Sequence, residues 1–248
     1  MPTFKLVIEY DGTAYAGWQR QPNQPTVQSA IEDVIQRITQ IHVSVTAAGR
    51  TDAGVHALGQ VVSFRSDKGL AAHEWLRALN GLLPPDISVR SVESAPEGFH
   101  ARYSARHKQY DYRILNRAER SGLERNRVWH VRGPLDLDAM REAARLLVGR
   151  HDFSSFQGHP TETESALCNL THLNLIQEQD VIRIQVQADR FLKQMVRAIV
   201  GTLVEVGQAK RAPESMKNIL AARDRRAAGL TAPAQGLYLI RVEYEGKP

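Results

Sequence analysis

The sequence predicts an α+β fold of two ferredoxin-like (RRM-like) units, each a mostly antiparallel sheet with helices on one face. Three observations predict it. The segments from Thr3 to Ser94 read β-α-β-β-α-β, a β-α-β-β-α-α-β order recurs after Arg106, and 248 residues at 42% apolar composition are ample for two cores. The recurrence is one of architecture, since the halves share no letter-by-letter similarity. The cut falls near 105, with residues 1–105 carrying an aspartate loop and residues 106–248 forming the second unit. The two sheets could join, with an active-site cleft between the units.

Each element has a local reason. Thr3 to Tyr10 ("TFKLVIEY") alternates in the manner of a strand, and the Gly/Pro/Asn-bearing "DGTAYAGWQRQPNQP" is a long loop. In "TVQSAIEDVIQRITQI" the apolar positions 27, 30, 31, 34, 35, 38 and 41 keep a helical stripe that Thr26 can cap. His42 to Ala48 and Leu58 to Arg65 read as strands, "AAHEWLRALNGLL" as a helix ending near Pro84-Pro85, and Ile87 to Ser94 as a fourth strand. The second half gives a strand at "QYDYRIL", a helix at "LDAMREAARLLVG", and strands near "LTHLNLIQ" and "VIRIQVQA". Helical stretches at 190–206 and 213–223 and a last strand "LYLIRVEY" complete it.

Composition bounds the function. No apolar run approaches the roughly 20 residues of a membrane span, and "MPTFKLVIEY" lacks a leader pattern, so a cytoplasmic protein is expected. A single cysteine, Cys168, allows no internal disulfide and no cysteine-cluster metal site, and reads as an ordinary buried thiol. The net charge of +5 is concentrated: Arg102 to Arg132 holds nine Lys/Arg against three acids, a net +6. Twenty-five of the 32 cations are arginine, whose planar fork suits phosphate. A polyanion fits that segment, and a solvated basic face is the plainer alternative.

The chemistry-bearing stretch is "AGRTDAGVHALGQVVSF", Ala48 to Phe64. Asp52 falls in the loop between two strands, and Gly49, Gly54 and Gly59 would let that backbone turn and a ligand come close. Arg50 can pair with Asp52 if the loop folds back, and a nearby cation keeps an aspartate ionised where water is excluded. Such a carboxylate is a usable nucleophile or base. The competing reading is a turn residue bonded to its own backbone, and spacing alone favours it. His56 reads as positional. Phosphate-loop, dinucleotide, serine-elbow and zinc-protease patterns are absent, and one cysteine cannot supply a deaminase zinc site. Tyr110 and Tyr112 share one face of their strand, where one could stack on a base or both could be core. Tyr15, Trp18 and Arg20 suit RNA contact, although Trp18 could simply plug its loop. In the helix from Phe191, periodicity makes Arg197 a surface cation, while Gly201 marks a close approach by backbone or ligand.

Together "EYDGTAYAGWQRQ", "AGRTDAGVHALGQVVSF", "FHARYSARHKQYDYRI", "FLKQMVRAIVGTLVEVG" and "GLYLIRVEY" resemble the TruA family of tRNA pseudouridine synthases, in the family's order and over nearly the whole chain. The resemblance implies isomerisation of uridine to pseudouridine at positions 38 to 40 of the tRNA anticodon arm, without cofactor or metal, by a homodimer. It places the catalytic aspartate on Asp52, its arginine partner on Arg50, the tyrosine that packs against the target base on Tyr110, and a basic residue near the aspartate on Arg197. The last assignment reverses the periodicity reading. Rival readings are a non-catalytic RNA-binding protein with two RRM-like sheets and an aspartate-nucleophile hydrolase.

Overall fold

A computed structural model of the chain describes residues 1–160 and 165–245. In chain order the elements are β1 (Thr3–Tyr10), α1 (Val27–Thr39), β2 (Thr46–Ala47), β3 (His56–Arg65), α2 (Ala72–Leu82), β4 (Ile87–Ser94) and β5 (Ala105–Asn116). There follow β6 (Trp129–Val131), α3 (Leu137–Arg145), β7 (Gly149–Asp152), β8 (Leu167–Glu178), β9 (Val181–Ala188), α4 (Met195–Gly207), α5 (Ser215–Ala222) and β10 (Leu237–Tyr244). This mixed α/β content divides into two compact units, residues 1–106 with the chain from Tyr238 onward, and His107–Leu237.

In the first unit β1 lies between β3 and β4, antiparallel to both, and β2 pairs antiparallel with β3. The alternation of β1 buries Phe4, Leu6, Ile8 and Tyr10 on one face. Helix α1 buries Val27, Ile31, Val34 and Ile35, with Thr26 and Ser29 in a reciprocal capping box at its start. On α2, Trp75 meets Phe64 edge-on at 5.0 Å and Phe4 at 5.7 Å between ring centroids. Each such fully buried side chain stabilises the unit by about 1.5–3 kcal/mol.

In the second unit β5 and β8 flank β9, antiparallel to it, β7 pairs with β8, and β6 runs parallel to β5. Eleven of the 13 residues of α4 are buried; Arg197 and Glu205 alone in that helix keep part of their surface in water. Beside it, α3 contributes buried Met140, Ala143 and Ala144.

Four features differ from the expectations. The stretch read as a strand from His42 is ladder-paired only at Thr46–Ala47, because the Val45 N–H donates to the Glu32 carboxylate of α1 at 3.0 Å instead of to a neighbouring strand. Helix α4 begins at Met195 and not near 190, since Gln194 takes a left-handed backbone, φ 58°. The short β6 and β7 have too few residues to show a period. Finally β10, which reading order leaves with the second unit, pairs in parallel with β3 at Tyr238↔His56 and Leu239↔Ala57 and so belongs to the first unit's sheet. No helix among the described residues is long and apolar enough to cross a membrane.

Candidate active site

The loop from β2 to β3 holds Asp52 half-buried, in a turn closed by the Val55 N–H donating to the Asp52 carbonyl at 3.1 Å. Gly54 has φ +76°, a conformation that costs glycine nothing, and this lets the chain reverse immediately after the aspartate. Thr51 is pinned from two sides. Its hydroxyl shares a hydrogen bond with the buried Tyr10 hydroxyl at 2.8 Å, and its carbonyl accepts from the Trp18 N–H at 3.0 Å. Upstream, the Gln60 amide of β3 donates to the Gly49 carbonyl at 2.8 Å. Burial pushes the Tyr10 hydroxyl up to about 12, so it stays a protonated partner for Thr51 well beyond neutral pH. The loop is thus held by hydrogen bonds at Gly49, Thr51 and the Asp52 backbone. Arg50 stands exposed two residues before Asp52 in the same loop.

The supporting residues were the part that sequence reasoning missed. Tyr10 ends β1, Thr51 lies in the loop before β3 and Gln60 stands within β3; all three are buried polar groups beside apolar neighbours, and that discordance is the signal that could have found them. His56, read as positional, is only 3% exposed: it stacks on Tyr238 at 4.7 Å, its Nδ1 accepts from the Gly12 N–H at 3.1 Å, and the Asp11 carboxylate lies 3.2 Å away. Trp18 plugs its loop, 3% exposed and beside Tyr10. Tyr15 donates to Asp86 at 2.6 Å, and Arg20 bridges Glu32 and Asp33 at 2.9 and 2.7 Å, which gives both structural partners.

The other candidates stand in the second unit. Tyr110 and Tyr112 share a face of β5, and both are buried, at 7% and 0% exposure. Tyr112 is committed to the core: its hydroxyl donates to the Pro233 carbonyl at 2.7 Å, and burial raises its pKa. Tyr110 meets the ring of Phe191 edge-on at 5.0 Å, just before α4. Arg197 is half-buried on the first turn of α4, where its Nε donates to the Ala232 carbonyl at 2.7 Å and its own carbonyl accepts from the Ala232 N–H. It is therefore a held cation and not the freely solvated one that periodicity implies.

The strap that holds it, residues 228–233, lies along α4. Thr202 accepts from the Gly229 N–H at 2.9 Å, and Glu205, paired with Arg211, accepts from the Leu230 N–H at 3.0 Å. A Cβ on Gly201 would come within 1.8 Å of the Leu230 carbonyl oxygen, so this glycine does mark a close backbone approach. Cys168 is buried, and burial lifts its thiol to about 11. Among the described residues there is no group of three or more His, Cys, Asp or Glu placed to hold a metal ion.

A family model described as tRNA pseudouridine synthase matches residues 6–104 and 143–245. The chain belongs to this family. The first matched stretch carries Arg50 and Asp52 and the second Arg197, while Tyr110 lies between the two. Similar relatives in the pseudouridine synthase family run the full length of the chain. "tRNA pseudouridine synthase A" of Afipia carboxidovorans is 46% identical over 98% of this chain and 100% of its own. The protein of the same name from Myxococcus xanthus is 45% identical over 100% of this chain and 94% of its own. A solved Cbf5-Nop10-Gar1 complex aligns with 95% of this chain and 57% of that one at 10% identity and a TM-score of 0.38.

Proposed function

We propose that the chain converts uridine to pseudouridine in the anticodon arm of tRNA, at positions 38 to 40, with Asp52 acting on the target nucleotide. The observation that carries this reading is the preorganised "GRTDAG" loop in a chain that matches tRNA pseudouridine synthase relatives over its full length. The reaction breaks the C1′–N1 bond, turns the detached uracil, joins C1′ to C5, releases the C5 proton and leaves a proton on N1. Atoms balance without an electron acceptor or a hydrolytic water. The carboxylate serves by attacking C1′, by adding to C6, or by removing the 2′ proton, and in each route it acts as an anion shielded from water. Arg50 and Arg197 supply positive charge to that anion, and the Tyr110 ring confines the base while it turns. Because the target must leave its stack at a cost of a few kcal/mol, contacts along the RNA offset that cost. The exposed Arg102, Arg120, Arg125, Arg127 and Arg132 of the basic segment supply phosphate contacts.

The reading includes a cytoplasmic homodimer built of ferredoxin-like units. The ferredoxin-like part is supported by the β-α-β-β-α-β order and strand pairing of residues 3–94. The test is tritium release from tRNA transcribed with 5-tritiated uridine. The expected result is tritium in water stoichiometric with pseudouridine found on nucleoside analysis. Tight tRNA binding with no release would instead establish an RNA-binding protein.

A further inference from the structure

Tyr103 is an aromatic residue with no role in the core. It is 77% exposed, in the segment that joins β4 to β5, and a ring left in water contributes little to the fold. Yet the backbone that carries it is built with care. His100 Nδ1 accepts from the N–H groups of both Arg102 and Tyr103 at 3.2 Å, which leaves the imidazole proton on Nε2. The Ser104 hydroxyl accepts from the His100 N–H, and the Ser104 N–H returns a bond to the His100 carbonyl at 2.9 Å. Between them the fully buried Ala101 is tied to Ser63 and accepts from the Tyr244 hydroxyl at 2.8 Å.

The imidazole of His100 stacks on the Tyr103 ring at 4.3 Å and 28° between planes, and the Arg102 guanidinium lies 5.7 Å from its centroid. Tyr103 is the second residue of the basic stretch Arg102 to Arg132, which carries a net +6. It is also anchored beside the Asp52 loop. Ala101 packs in one apolar cluster with Ala48 and Val61, and Ala48 leads into that loop four residues before the aspartate. A chain reach of about 3.5 Å per residue keeps Tyr103 within about 7 Å of Ala101, and Asp52 within about 14 Å of Ala48, between Cα atoms.

We infer that the Tyr103 ring, backed by His100 and bordered by Arg102, is a stacking platform for an unpaired base of the RNA substrate beside the target uridine. Rigid aromatic rings set among cations are how proteins hold single-stranded bases, because every base has a π-face. A protein partner fits less well, because the ring is set between the His100 imidazole and the Arg102 guanidinium, whereas an interface core is depleted of charge. The inference rests on the proposed function for its RNA partner.

The test uses the full chain, an unmodified tRNA transcript, and the variants Tyr103→Ala and Tyr103→Phe. Stacking makes Tyr103→Ala bind tRNA about five- to a hundredfold more weakly, whereas Tyr103→Phe stays within about twofold of wild type. KM rises with little change in kcat, the thermal midpoint is unmoved, and the dependence of log K on log salt keeps its slope, since no phosphate contact is lost. Wild-type affinity in Tyr103→Ala, equal losses in both variants, or a change in oligomeric state on ultracentrifugation would overturn the platform. If the wild-type chain makes no pseudouridine yet binds RNA through the Tyr103 ring, the proposed function fails and the platform stands.

Discussion

At the scale of single residues, the site depends on buried hydroxyls that hold backbone. The Tyr112 hydroxyl caps Pro233 one residue beyond the carbonyl that Arg197 holds. Tyr112→Phe therefore removes the donor from a part-buried carbonyl, and denaturant titration should find a loss of about 0.5–1.5 kcal/mol. Tyrosine burial also sets the alkaline limit of stability. In the folded chain the Tyr10 hydroxyl is pushed up to about 12 from 10, and those of Tyr112 and Tyr244 are raised by burial as well. A pKa raised on folding favours the protonated form, so its contribution is complete below pH 10 and is lost as pH rises toward 12. Unfolding midpoints measured from pH 8 to pH 12 should fall above pH 10, and Tyr10→Phe should flatten part of that fall. The position of Asp52 in an inter-strand loop was legible from glycine spacing. Its supports were not, because Tyr10 and Thr51 are 41 residues apart and meet only through the β1–β3 register.

At the scale of elements, α4 and its strap show where periodicity stops being informative. A 3.6-residue stripe sorts a helix into faces, but it cannot say that residues 228–233 will return along the polar face and bond there through Gly229, Leu230 and Ala232. Gly201 was the legible trace of that return, as a costly residue inside a helix. Gly201→Ala must displace the Leu230 carbonyl, and overpacking of this kind costs about 1–3 kcal/mol. Since the same strap bonds Arg197, the variant should also lower kcat at temperatures where it remains folded, as single-turnover assays beside circular dichroism would reveal. A Gly201→Ala protein with unchanged stability and rate would separate the strap from the site. The two-residue β2 teaches a related lesson: the Glu32 side chain took a backbone donor that β-propensity assigns to a ladder.

At the scale of the molecule, the β-α-β-β-α-β order of residues 3–94 was readable because each element carries its own local pattern, whereas the short β6 and β7 interrupt the order expected after Arg106. The assignment of β10 to the first unit was not, since parallel pairing with β3 joins segments about 180 residues apart and leaves no local mark. Charge is the other global property, and it does predict behaviour. Exposed arginines that contact phosphates release counterions, so log K for tRNA should fall linearly with log salt, with a slope near −0.7 to −0.9 for each phosphate neutralised. A slope near zero in filter binding would remove phosphate contact from the account. The central claim, that the Asp52 carboxylate does the chemistry and does not merely cap a turn, is tested by Asp52→Asn assayed for tritium release and tRNA affinity in one preparation. The account predicts that release falls to background while affinity and thermal midpoint stay near wild type. An Asp52→Asn protein that still forms pseudouridine would contradict it.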